Sequence, residues 1–222
     1  MKKYQVVERF LSINGEGKRA GQLAFFVRFA GCNLNCSYCD TTWANEPDVA
    51  FEWMSKEEIY DEIKHSGADN VTLTGGEPLL RDGMKELLSY LAEDEKLTIE
   101  IETNGSIDLT PYVTINDRIV MTMDYKLPDS GMEQEMHIAN FKLLRKVDTV
   151  KFVSGSKADL LRAVEIMQTY QLIGKCACYI SPVFGKIEPS EIVDFMKEEK
   201  LVGVNLQIQM HKVIWDPMMK GV

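Results

Sequence analysis

Short apolar runs and amphipathic stretches alternate along the chain. Residues 23–31, LAFFVRFAG, read as a buried strand ending at glycine. Residues 54–67, MSKEEIYDEIKHSG, predict a helix with Ser55 as N-cap, Glu58 completing a capping box and Gly67 as the stop. Strands are predicted over 70–76, 97–105, 118–126 and 148–155, and helices over 82–96 (Asp82 near its start), 133–146 and 157–174. Segments 175–182, 188–200 and 204–212 complete the series. Repeated alternation of strand and helix with short connections predicts an α/β fold of parallel strands joined by right-handed crossovers. The sheet is either open or curled toward a barrel. No Gly-, Ser- or Pro-rich linker interrupts residues 1–222, so a single domain is expected. In such folds the chemistry sits at the C-terminal ends of the strands. The unusual segments all follow predicted strands: the cysteine loop, TGGEP, ETNG, DYKLP, SGS and SPVFGK.

Composition narrows the class. The 222 residues carry a net charge of −9, and no Lys/Arg block stands out. That argues against a general grip on nucleic acid and leaves room for a local basic pocket. No apolar run approaches the roughly 20 residues of a membrane span. The start, MKKYQVVERF, lacks the apolar stretch of a secretory signal. A reducing, cytoplasmic location is expected, where cysteines serve as free thiols or metal ligands.

Three of the five cysteines, Cys32, Cys36 and Cys39, lie within GCNLNCSYCDTTWA, residues 31–44. A structural zinc site normally has four protein ligands. Asp40 is the nearby candidate for a fourth, since His65 lies beyond a predicted helix. A disulfide would use two of the three thiols and suits another compartment. A cubane iron–sulfur cluster fits better, because three thiolates hold three irons and leave the fourth open. Gly31, Asn33, Asn35 and Ser37 are turn-formers that let a loop wrap such a cluster. The same spacing also puts three small residues on one helix face, a reading the Gly, Asn and Ser content weighs against.

CxxxCxxC after the first core strand, with Tyr38 before the last cysteine, resembles the radical S-adenosylmethionine (SAM) superfamily. TGGEP at residues 74–78, after the next strand, resembles its second signature. The resemblance covers most of the chain and implies an incomplete parallel β/α barrel. It implies a [4Fe-4S] cluster on Cys32, Cys36 and Cys39, with S-adenosylmethionine chelating the open iron. Gly75 and Gly76 would admit backbone close to the methionine moiety, and Glu77 would accept from its ammonium group. Ser37, Tyr38, Glu102, Asn104, Asp124, Tyr125, Lys126 and Ser181 are further expected cofactor contacts. The family's usual Ser-Pro-Lys is matched here only at Lys126. An electron from the reduced cluster cleaves the sulfonium bond, and the resulting 5′-deoxyadenosyl radical takes a hydrogen atom from the substrate. Cluster potentials reach about −700 mV, so reduced flavodoxin or ferredoxin is an implied partner.

LSINGEG, residues 11–17, resembles the 7-carboxy-7-deazaguanine synthases within that superfamily. The resemblance implies ring contraction of 6-carboxy-5,6,7,8-tetrahydropterin to 7-carboxy-7-deazaguanine with loss of ammonia, a lyase step in 7-deazapurine (queuosine) biosynthesis. Ile13, Asn14, Gly15, Arg28 and Thr74 are the expected substrate contacts. Asn14 replaces the family's usual glutamine. Arg28, on a largely apolar strand, needs an anion partner, either the substrate carboxylate or a salt bridge. Thr41, after Cys39 and Asp40, is the expected Mg²⁺ ligand, with substrate oxygens supplying the rest; capping of the next turn is its alternative role. His211 and Lys212 resemble the family's closing His-Lys, and a homodimer is implied. No acid–base residue is nominated.

The remaining features read as structural. Cys176 and Cys178 share one face of a predicted strand. His65 ends a helix, and His137 falls in one. The twelve methionines fill core gaps. DPMMKGV is a tail over the site or a dimer contact, and the segment between Trp43 and Trp53 a lid or an interface. Two competing functions follow from the cysteines: an activase placing a glycyl radical on a partner enzyme, and a zinc protein using Cys32, Cys36, Cys39 and Asp40.

Overall fold

The computed structural model describes residues 2–217 and 219–222; Met218, in the C-terminal tail, lies outside them. Among these residues the strands are β1 (Tyr4–Ile13), β2 (Leu23–Phe29), β3 (Glu52–Met54), β4 (Asn70–Gly75), β5 (Thr98–Thr103), β6 (Ile119–Tyr125), β7 (Thr149–Ser154), β8 (Ala177–Pro182) and β9 (Val204–Leu206). The α-helices are α1 (Lys56–Ser66), α2 (Met84–Leu91), α3 (Asn140–Leu143), α4 (Lys157–Thr169), α5 (Pro189–Glu198) and α6 (His211–Ile214). All nine strands form one sheet in the order β3-β1-β2-β4-β5-β6-β7-β8-β9. The sheet is open between β3 and β9, a partial barrel.

From β2 to β9 every pairing is parallel. The expectation of parallel strands fails at one edge, where β1 pairs antiparallel with β2 and with β3. β1 includes LSI of the LSINGEG segment, which therefore belongs to the sheet instead of preceding it. A turn short enough to return directly produces the antiparallel pair: Asn14 N–H donates to the Gln22 carbonyl at 2.8 Å, and Gly21 N–H to the Asn14 carbonyl at 2.7 Å.

The parallel strands keep two different faces. Phe25, Val27, Val71, Leu73, Ile99, Ile101, Met121, Met123, Val150, Phe152, Cys178 and Ile180 join one buried cluster with Ile59 and Ile63 of α1, Leu87, Leu88 and Leu91 of α2, and Leu160 and Ala163 of α4. The alternate positions carry Arg28, Thr74, Glu102, Thr122, Asp124 and Lys151, all facing one cavity. Strand residues alternate sides, so this two-residue period separates a helix-covered face from a polar one.

Local signals place the helices. Ser55 Oγ accepts from Glu58 N at 3.2 Å, Glu58 Oε2 accepts from Ser55 N at 2.7 Å, and Gly67 ends α1 at φ +74°. α2 starts at Met84, with left-handed Gly83 in the N-cap position and Asp82 just before it. The helix expected over 133–146 is reduced to a 3₁₀ turn at Glu133–Glu135 and the four residues of α3. Tertiary hydrogen bonds override its propensity: Asn140 donates to the carbonyls of Gly105 and Ile107 and accepts from Leu109 N. His137 lies outside α3, and its N–H donates to the Gly105 carbonyl. β9 is shorter than expected because Gln207 turns to bind Gly17. No helix among the described residues is long and apolar enough to cross a membrane.

The capping box makes a direct test of this local reading. Ser55→Ala is expected to lower stability by about 1 kcal/mol, measured as a shift in the denaturant midpoint with an unchanged slope.

Candidate active site

A cavity of about 330 Å³ opens at the C-terminal ends of the strands, within the usual range of small-molecule sites. Cys32, Cys36 and Cys39 all line it. Their loop is held by backbone contacts to the end of β4: Gly76 N–H donates to the Phe29 carbonyl at 3.1 Å, and Glu77 N–H to the Gly31 carbonyl at 2.9 Å. A Cβ at Gly76 would lie 2.0 Å from the Gly31 oxygen, and one at Gly75 2.3 Å from the Phe29 oxygen. Gly75 also has φ +134°. The two glycines line the cavity, but the close approaches that require them are to Phe29 at the end of β2 for Gly75 and to Gly31 of the cysteine loop for Gly76.

Glu77 does not line the cavity. It is fully buried, and its carboxylate accepts from Leu79 N at 3.0 Å, Thr103 Oγ1 at 2.9 Å and Asn104 N at 2.6 Å. Burial pushes this carboxyl up to about 7, against the hydrogen bonds from Asn104, Leu79 and Thr103 that favour its charged form. Through Glu77 the end of β4 fixes Asn104, whose Nδ2 approaches Cys32 Sγ at 3.5 Å. Cys32 Sγ also accepts from Leu34 N at 3.4 Å. Donors aimed at a sulfur suit a thiolate bound to iron.

Burial raises the Cys36 and Cys39 thiols above the ordinary range, while Lys126 pulls both down. A bound iron cluster would supply the stronger positive charge that thiolate ligation requires. Lys126 Nζ pairs with Asp124 Oδ2 at 2.7 Å and lies 6.0 Å from the Tyr38 ring centre. Burial would lower its affinity for the proton, but Asp124 and Cys36 more than compensate and raise it. Asp124 Oδ1 is buried and has no hydrogen-bond partner among the described residues. The donor set, the half-buried thiols and this free acceptor fit a cluster with an amino-acid-bearing cofactor beside it.

Most of the expected contacts meet here. Tyr38, Gly75, Gly76, Glu102, Asn104, Asp124 and Lys126 line the cavity, as do Ile13, Gly15, Arg28, Thr41 and Thr74. Others do not. Ser37 Oγ donates to the Asp129 carbonyl, the Tyr125 hydroxyl donates to Glu133, and Ser181 is buried with no partner for Oγ among the described residues. Asn14 is buried, where Oδ1 accepts from Thr72 Oγ1 at 2.8 Å and Nδ2 has no partner among the described residues. Arg28 has an internal anion after all: its Nε donates to Glu8 Oε2 at 2.9 Å, across the β1–β2 pair. Thr74 Oγ1 donates to Glu102 Oε2 at 2.8 Å.

The Thr41 hydroxyl donates to Asp40 Oδ1 at 3.0 Å, and Asp40 Oδ2 meets Lys212 Nζ at 2.9 Å. Burial alone would raise the Asp40 carboxyl, but Lys212 and Thr41 bring it below its ordinary range. Among the described residues no three His, Cys, Asp or Glu side chains converge as ligands of a single ion. Asp40, the expected fourth zinc ligand, has both carboxylate oxygens engaged, by Thr41 and by Lys212. Cubane ligands bind separate irons and need not converge in this way.

Glu8, Thr122 and Lys151 line the cavity without any sequence signal having singled them out, and they are joined there by Glu16 of LSINGEG, by Trp43 and by Pro217 and Met219 to Val222 of the tail. Lys220 Nζ stands 3.9 Å from the Trp43 ring centre, so the tail covers the cavity. Strand phase was the available signal for Lys151: in TVKFVS it interrupts an apolar run in the phase that faces inward.

The radical SAM superfamily model matches residues 26–120. The 7-carboxy-7-deazaguanine synthase of Clostridium acetobutylicum is 57% identical over 219 residues, covering 99% of each chain. That of Chlorobaculum tepidum is 38% identical over 220 residues, covering 98% of this chain and 96% of its own. A crystal structure of QueE from Escherichia coli is similar in fold, with a TM-score of 0.75 at 22% identity, covering 94% of this chain and 95% of that one.

Two outcomes test this geometry. Gly76→Ala should destabilise the protein by about 1–3 kcal/mol or more, because the new methyl meets backbone; the readouts are the denaturation midpoint and iron content after reconstitution. Glu100, under the cavity floor, accepts from Thr122, and burial together with Glu102 raises its carboxyl from 4.5 to about 7. Between those values the folded chain keeps a proton that the unfolded chain loses. The stability this contributes is present below pH 4.5 and lost as pH rises through about 7. Glu100→Gln should therefore flatten the decline in stability over that window by on the order of 2 kcal/mol, followed as melting temperature against pH.

Proposed function

The chain belongs to the 7-carboxy-7-deazaguanine synthases of the radical SAM superfamily, and from that premise we propose how its own residues share the work. The reaction is the ring contraction of 6-carboxy-5,6,7,8-tetrahydropterin to 7-carboxy-7-deazaguanine, with loss of ammonia. When bound, the [4Fe-4S] cluster and S-adenosylmethionine supply a 5′-deoxyadenosyl radical able to take a hydrogen atom from the substrate.

Cys32, Cys36 and Cys39 hold the cluster. Asp124, through the buried Oδ1 that has no partner among the described residues, and Asn104 receive polar groups of the cofactor, while Lys126 holds Asp124 in orientation. Gly75 and Gly76 contribute backbone to the same wall. Glu77 positions Asn104 and the loop end without touching the cofactor. Arg28 engages Glu8 through Nε alone, so its terminal nitrogens remain available to a substrate carboxylate. Thr74 and Glu102 form a bonded pair on the substrate side. Thr41, oriented by Asp40, provides one hard oxygen to Mg²⁺, whose other ligands come from substrate and water. The tail over Trp43 limits water around the radical. The assignment extends to residues 1–222 as one radical SAM domain, working in the cytoplasm as a homodimer with reduced flavodoxin or ferredoxin as electron donor.

One observation carries this reading: the three cysteines of one loop, Arg28, Thr74, Glu102 and Asp124 of four strands, and Lys126 just after the last of these all line one cavity. Full-length similarity to named synthases sets aside the glycyl-radical activase.

The test is anaerobic incubation of the reconstituted protein with 6-carboxy-5,6,7,8-tetrahydropterin, S-adenosylmethionine and a reductant, with and without Mg²⁺. The expected product is 7-carboxy-7-deazaguanine, formed faster with Mg²⁺. Cys36→Ala should lose the brown colour and cofactor cleavage together, and retention of either would overturn its assignment as a ligand.

A further inference from the structure

Glu16 lies between two glycines that pin its loop. Gly15 backs onto His211, where an added Cβ would lie 3.0 Å from Nδ1. Gly17 is left-handed at φ +74° and exchanges two hydrogen bonds with Gln207. Its N–H donates to Oε1 at 2.6 Å, and its carbonyl accepts from Nε2 at 3.3 Å. The loop therefore has little freedom to swing Glu16 away.

From this loop the Glu16 carboxylate crosses to β7, where Oε2 meets Lys151 Nζ at 2.5 Å. The two side chains are only 12% and 7% exposed. Lys151 stands in register with Asp124 of β6. Both members of the pair line the cavity. The other carboxylate oxygen, Glu16 Oε1, is buried and has no hydrogen-bond partner among the described residues. An unpaired buried carboxylate oxygen is costly, and a structural ion pair alone gives no reason to leave it. A ligand N–H resolves the cost. The tetrahydropterin ring and its amino group present several such donors, and a site built around a buried acceptor rejects molecules that lack the matching donor.

Resting on the function proposed above, we propose that Lys151 is a positioning residue for the substrate. Its ammonium holds one oxygen of Glu16 and so aims the other, as acceptor, at an N–H of the pterin. Lys151 is distinct from the cysteine loop and from the segments that end β4, β5 and β6. It acts through Glu16 and does not touch the reacting atoms.

The experiment is a double-mutant cycle on the reconstituted enzyme: wild type, Lys151→Met, Glu16→Gln and the double variant, with kcat and KM measured on 6-carboxy-5,6,7,8-tetrahydropterin. A hydrogen bond to a charged group corresponds to about a tenfold or larger rise in KM for each single variant, with the smaller change in kcat. Because Lys151 works through Glu16, the double variant should be no worse than the poorer single one. Effects that multiply in the double variant, or a KM within about twofold of wild type for either single one, overturn the proposal. If Lys151→Met does not fold, Lys151→Arg replaces it. That change keeps the charge but shifts the donor, so KM should still rise, and an unchanged KM counts against the proposal. Wild-type enzyme that does not convert the pterin sinks the underlying function and this inference with it, an outcome separate from any variant's behaviour.

Discussion

The contact between the end of β4 and the cysteine loop is the constraint on which the site depends. Backbone meets backbone so closely that neither Gly75, against Phe29 at the end of β2, nor Gly76, against Gly31 of the loop, has room for a Cβ. Two hydrogen bonds from Gly76 and Glu77 hold the loop at Phe29 and Gly31. Glu77 then turns inward and binds the end of β5 through Thr103 and Asn104. Three separate segments are fixed relative to one another by one buried carboxylate and two missing side chains. A cluster bound by only three thiolates needs such a frame, since a loop free to move would supply another ligand or lose one.

The second organising feature is charge. The chain is acidic overall, at −9, yet its cavity gathers cations. Arg28 pairs with Glu8, Lys126 with Asp124, Lys151 with Glu16 and Lys212 with Asp40. Several of these pairs join different elements. Desolvating such pairs is unfavourable and adds little to stability by itself. Its return is preorganisation: dipoles and charges already face the cavity and need not be reoriented for a molecule that enters it. The raised carboxyls of Glu77 and Glu100 belong to the same polar interior.

The departures from expectation have a common cause. Asn14 and Ser181 were assigned by position in a motif, and both side chains are turned to bury in the protein. Glu77, expected to accept from the cofactor, accepts in this structure from Leu79, Thr103 and Asn104. The helix read over 133–146 yields to the hydrogen bonds of Asn140. In each case a local signal gives the residue type correctly, while partners distant in sequence decide its direction.

The amino-acid order alone determined the strand–helix rhythm, the capped α1 helix, the three-thiol loop and the glycine pair after β4, because these rest on interactions within a few residues or on spacing. It also held the inward phase of Lys151, though that signal is readable only once strand pairing is known. Tertiary structure decided the antiparallel edge, the inward or outward turn of each polar side chain, and the pairing of Glu16 with Lys151 across 135 positions. Those outcomes depend on register and on burial, which no local segment contains.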